Sequence, residues 1–183
     1  MSRDASGSSR QDSRKIVLLE VAYRLNVSRV YTLCLRLLAN VRAAEEATVD
    51  VFARFSRELT RRWDESLVRK RLRELAIDEA LQRLWRSQER LGRRAAAVGT
   101  PPAASIPAAK AIARAESRLL DSVSMNELIA RLPDELRVAF VLHDIEEVND
   151  GDTARYLRVR ETEAGLLISR ARLELRQLWL TTS

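Results

Sequence analysis

The chain has 183 residues, 46% of them hydrophobic and 32% charged, with five glycines, four prolines and a formal net charge of +6. That apolar fraction supports a buried core and excludes wholesale disorder, while scarce helix breakers among abundant Ala, Leu, Arg and Glu predict an all-α fold. A single cysteine, Cys34, and a single histidine, His143, exclude a disulfide framework and a zinc cluster.

They also leave no plausible nucleophile–base pair, and no glycine loop is present to cradle phosphates, so no enzyme activity, cofactor or metal is expected. No apolar run reaches the roughly 18 residues of a membrane span. The polar N-terminus does not read as a secretory signal, and a cytoplasmic, reduced setting fits. The basic excess is compatible with a polyanionic partner, and equally with an arginine-rich composition that has none.

In chain order, residues 1–14 are polar and low in complexity, and read as a disordered tail. Apolar residues then recur at helical spacing: Ile16, Leu19 and Tyr23, followed by Val30, Leu33, Leu37 and Val41. A polar break near Asn40 precedes a second helix with the stripe Ala44, Ala47, Val51, Phe52 and Phe55. Ser56–Ser66 is a short basic segment carrying Arg57, Arg61, Arg62 and Trp63, and a third periodic stretch runs from about Leu67 to Leu91. A Pro/Ala-rich region, expected to span residues 93–121 as a linker, holds three of the four prolines.

Beyond it, Ser122–Arg131 predicts a short helix, and Leu132-Pro133-Asp134-Glu135 opens another with proline at the first helical position and acids in the first turn. Asn149-Asp150-Gly151-Asp152 has turn chemistry. A short helix at Asp152–Leu157, a tight connection and a long helix from about Thr162 to Leu180 complete a helix-turn-helix pattern. Two small helical domains follow, residues 15–92 and 122–183.

Two blocks, in order, resemble the extracytoplasmic-function (group IV) sigma factors of RNA polymerase. In Val30–Phe55, Ala44-Glu45-Glu46 and Asp50-Val51-Phe52 match the core-polymerase-binding helices, and Leu75-Ala76-Ile77-Asp78 matches the DNA-facing helix of the first domain. In Leu132–Trp179, the matching residues are Leu132-Pro133, Arg137-Val138-Ala139-Phe140, Leu142-His143-Asp144-Ile145-Glu146, Ala154, Leu157 and Ser169-Arg170-Ala171-Arg172-Leu173. The resemblance implies a sigma factor that binds core RNA polymerase and directs promoter-specific initiation, with promoter DNA and an anti-sigma factor as further partners.

By the same resemblance, Glu45, Glu46, Asp50 and Phe52 dock on polymerase. Arg61, Arg62, Trp63, Arg69, Lys70 and Arg73 meet the upstream-melted promoter element, with arginines for phosphates and Trp63 as a stacking face or, as readily, a lid on the core. Arg158, Arg160, Thr162, Arg170 and Arg172 are the DNA-binding candidates of the helix-turn-helix. Glu163-Ala164-Gly165-Leu166-Leu167 stands where the family has Thr-Val-Lys-Ser-Arg, Arg158 replaces the family's turn glycine, and Val49 replaces a docking glutamine. These departures open an alternative: a sigma-like protein that acts as a polymerase- or anti-sigma-binding module without direct promoter reading, using Leu166-Leu167-Ile168 as a protein contact.

Overall fold

The computed structural model describes residues 5–59, 63–98 and 120–182. The helices are α1 (Ala5–Leu38), α2 (Val41–Glu58), α3 (Glu65–Val98), α4 (Leu120–Arg131), α5 (Asp134–Phe140), α6 (Asp150–Leu157) and α7 (Glu161–Thr182), with a π-helical segment, Val141–Ile145, continuing α5. Among the described residues there is no strand. The chain divides into two compact units, Met1–Cys34 with Arg42–Ala80 and Leu35–Val41 with Leu81–Ser183. The divisions fall inside α1, after the first residue of α2 and inside α3.

The stretch expected as a tail departs from expectation, because α1 begins at Ala5. Composition is a weak guide there: once a helix is nucleated downstream, each further residue adds a hydrogen bond at little cost. Likewise α3 runs on to Val98, into the expected linker, of which residues 99–119 lie outside the described part.

In the first unit, α2 buries Ala44, Ala47, Thr48, Val51, Phe52 and Phe55, one stripe at spacings of three and four. Its C-terminal end is fastened to α3 by Arg71, which donates to both Glu58 oxygens at 2.7 and 3.0 Å and to Glu74 at 3.1 Å. Such a planar two-bond fork fixes orientation as well as distance. It also holds the Glu58 carboxyl below its ordinary value. Asp64 starts α3 as its N-cap, accepting from the Leu67 backbone N–H at 2.8 Å.

The apolar stripe read along α1 holds only in part. Ala22, Val30, Leu33 and Cys34 are buried, but Ile16 is 65% exposed, and Tyr23 rests edge-on against Phe52 with ring centroids 4.9 Å apart.

In the second unit, Leu128, Ile129, Leu132, Leu136, Val138, Val141 and Leu142 form a core with Ala154, Leu157 and the α7 stripe Ala164, Ile168, Ala171 and Leu175. Pro133, expected at the first helical position, is instead the N-cap of α5 (φ −51°, ψ 145°), one residue before the helix begins at Asp134. Asn149 caps α6, accepting from the Asp152 backbone N–H at 2.8 Å, so the stretch read as a turn is mostly the first turn of that helix.

The α6–α7 turn hinges on Arg158, which takes the left-handed conformation (φ 61°, ψ 36°). The Arg158 N–H bonds to the Arg155 carbonyl at 3.2 Å and the Val159 N–H to the Ala154 carbonyl at 3.0 Å, a helix-ending pattern that favours glycine. Arg158→Gly is therefore expected to raise stability by about 0.5–1 kcal/mol, the left-handed cost removed less the extra freedom of unfolded glycine. Urea denaturation checks this; an unchanged or lowered midpoint would contradict it.

Candidate interaction surfaces

The acidic candidates of α2 divide by burial. Glu45, Glu46 and Asp50 lie on its exposed side with Val49, which is 68% exposed, and Glu46 also pairs with Arg42 at 3.1 Å. Phe52, grouped with them from sequence, is 7% exposed and in ring contact with Tyr23, so it belongs to the core and not to a docking surface. The sequence placed Asp50-Val51-Phe52 together, but successive helical residues point about 100° apart.

Of the basic candidates in the first unit, Arg61 and Arg62 lie outside the described residues. Trp63 is half-buried and meets the fully buried Phe55 edge-to-face, with ring centroids 5.4 Å apart and an interplanar angle of 80°. That contact is the lid role left open by the sequence. Arg69 and Lys70 are exposed on α3 and Arg73 is half-buried. Arg69 pairs with Glu65 at 2.7 Å, with both side chains more than half exposed, so the pair is weak and leaves the guanidinium available for exchange to a phosphate.

In the second unit, α7 presents two faces. Its inner face carries the buried stripe, and its outer face carries Leu166, Leu173 and Leu180, which are 72%, 61% and 69% exposed. They are spaced seven residues apart, so they form a single apolar line along the helix. The continuous Leu166-Leu167-Ile168 patch expected from sequence is broken up: Leu166 is exposed, Leu167 is half-buried and Ile168 is 3% exposed. Leu173 and Leu180 escaped the sequence reading, although their heptad register with Leu166 was the available signal.

Arg158, Arg160, Thr162 and Arg170 are exposed. The Arg160 carbonyl accepts from the Glu163 and Ala164 N–H groups at 3.0 and 2.9 Å, and the Arg170 side chain reaches Glu174 at 3.8 Å. Arg172 is differently placed. Its Nε donates to Asp144 Oδ2 at 2.8 Å and its Nη2 donates to Asp144 Oδ1, tying α7 back to the π-helical segment. Arg172 is thus engaged within the fold, although its side chain is 53% exposed. Next to it, His143 stands between two carboxylates, Nδ1 at 2.7 Å from Asp144 and Nε2 at 3.1 Å from Asp150.

Arg172, with His143 beside it, holds the Asp144 carboxyl below its ordinary value. For a lowered carboxyl, the stabilising contribution is present above the unfolded value of about 3.9 and disappears as pH falls through the folded one. The Asp144→Asn chain is expected to be less stable than the wild type at neutral pH, with the gap closing on acidification below about pH 4. Unfolding midpoints measured across that range check this, and a gap that widens on acidification would contradict it.

A groove of about 320 Å³ is lined by Trp85, Gln88, Glu89, Glu135, Leu157, Arg158, Val159, Glu163 and Leu167, all within the second unit. The sequence offered no sign of it, since its walls come from α3, α5, α6, α7 and the α6–α7 turn. Among the described residues no group of three His, Cys, Asp or Glu side chains is arranged to hold a metal ion.

No protein-family model matches the chain, and neither does any curated protein sequence. Among solved structures, the chain is similar to the sigma factor RpoE of Bartonella quintana, determined in complex with the anti-sigma factor NepR. The likeness covers 87% of this chain and 95% of that one, with a TM-score of 0.55 at 16% sequence identity. The fold is sigma-factor-like. At this identity the shared property is the helical scaffold.

Proposed function

We propose that this chain is a divergent extracytoplasmic-function sigma factor that binds core RNA polymerase and directs promoter-specific initiation in the cytoplasm. The observation that carries the reading is the sigma-factor-like fold over 87% of the chain. Residues 15–92 form the polymerase-binding and melting domain, 93–121 the linker, and 122–183 a DNA-binding helix-turn-helix. The exposed carboxylates Glu45, Glu46 and Asp50 face a basic partner surface on polymerase, and Arg69, Lys70, Arg158, Arg160 and Arg170 contact promoter phosphates. An anti-sigma factor is a further partner, as one is for the similar RpoE.

Opposite charges across an interface steer association and oppose mismatched partners. The Glu45→Lys/Glu46→Lys/Asp50→Lys chain is therefore expected to bind purified core polymerase about tenfold or more weakly while keeping its helical content. Unchanged affinity in a direct binding assay would remove the acidic face from the docking surface.

The exposed Leu166 favours a second reading, in which the chain binds polymerase or an anti-sigma factor without reading promoters. A leucine line has no donors for base edges or phosphates beyond the thymine methyl group it can touch. On that reading α7 is a protein-binding helix.

A further inference from the structure

The groove of the second unit has a composition that neither proposed reading uses. In a chain with a net charge of +6, its lining holds three carboxylates, Glu89, Glu135 and Glu163, and a single cation, Arg158. The rest of the lining is the amide of Gln88, which donates to Asp134 at 3.0 Å, and the apolar Trp85, Leu157, Val159 and Leu167, of which Trp85 and Leu167 are half-buried. A volume near 320 Å³ lies at the lower end of the range for ligand sites and suits one long side chain with its neighbours.

We propose that this groove docks a protein segment bearing an arginine or lysine flanked by apolar residues. The cation lies against Trp85 among the three carboxylates, and the flanking side chains cover Leu167. Charge complementarity selects this occupant. A phosphate backbone or an acidic peptide would meet three like charges, and a purely apolar segment would strip water from them without replacing the lost hydrogen bonds. Arginine fits better than lysine, because a planar guanidinium stacks on indole and donates paired hydrogen bonds to carboxylates at its edge. Arg158 opposes the binding as a like charge, and this gives the proposal a change that strengthens it.

The proposal does not depend on promoter reading, and its test contains neither polymerase nor a promoter. The full chain is panned against displayed random short peptides, and a peptide synthesised from the selected consensus is titrated by calorimetry. Selected peptides are expected to be enriched in arginine or lysine between apolar residues. The exposed-site variant Glu135→Gln/Glu163→Gln should weaken the peptide about tenfold or more, and Arg158→Gly should tighten it severalfold.

Trp85→Leu keeps an apolar wall but removes the aromatic face, and should weaken arginine peptides more than lysine ones. Melting curves establish that each variant is folded. Selection of acidic or uncharged peptides, equal affinity for the Glu135→Gln/Glu163→Gln chain, or a DNA duplex competing the peptide from the groove would overturn the proposal.

Discussion

The Phe55→Ala chain is expected to lose about 3–5 kcal/mol of stability in its first unit. Phe55 is fully buried on the apolar stripe of α2, so truncation removes the transfer energy of a benzyl group and leaves a cavity. The surrounding groups are held by the helices themselves and by the Arg71–Glu58 fork, which limits collapse into the space. The loss extends to Trp63, whose edge-to-face contact with Phe55 sets its ring position. Urea unfolding, followed by Trp63 fluorescence in a Trp85→Phe/Trp179→Phe background, reads both effects. A loss below about 1 kcal/mol would show that the Phe55 site relaxes freely and that the lid contact carries little energy.

The second large effect belongs to Arg137, a charged residue only 4% exposed. Its guanidinium donates from Nε to the Leu37 carbonyl at 3.1 Å, from Nη1 to the Leu132 carbonyl at 3.0 Å, and from Nη2 to Asp134. Leu37 lies in the last turn of α1, where helix carbonyls lack intrahelical partners and the helix dipole favours a cation. The reversal of the chain at Ala39, left-handed at φ 49°, follows directly. Alanine at position 137 leaves those carbonyls without a donor, at about 1–3 kcal/mol each where water cannot reach them. The expected total is about 3 kcal/mol or more. Lysine restores the charge without the planar fork and should recover only part of the loss. Hydrogen exchange across α5 together with the urea midpoint measures it, and an Arg137→Ala chain within about 1 kcal/mol of wild type would contradict it.

What could be read in advance follows from what periodicity encodes. The inner stripes of α2 and α7 recur every three or four residues, so both helices and their buried sides were legible. Periodicity is silent on pairings between distant residues. Arg172 with Asp144 and Arg71 with Glu58 join side chains that hydropathy assigns to the surface, and Arg137 reaches a backbone carbonyl, that of Leu37, which hydropathy does not describe at all. Three arginines of a basic chain thus fasten helices, and a tally of positive charge overstates the number facing a polyanion. Phe52 failed for the opposite reason, since a motif match reports neighbours in sequence and not the face on which each one sits. The groove escaped notice because four separate helices and a turn build it.

On α7 the sequence showed the loss of basic residues before the fold showed its consequence. Leu166, Leu173 and Leu180 occupy the outer line of the helix that the proposed function turns toward DNA. Thr162 and Arg170 are exposed on the same helix, and under the proposed function they would contact phosphates while the apolar line meets thymine methyl groups.

Run-off transcription with core polymerase, the purified chain and a library of genomic fragments tests the central claim most directly. Discrete transcripts that require the chain, share an upstream sequence and weaken with rising salt are the expected result. A stable complex of the chain with core polymerase that yields no such transcripts would contradict it, and would leave α7 as a helix for binding protein.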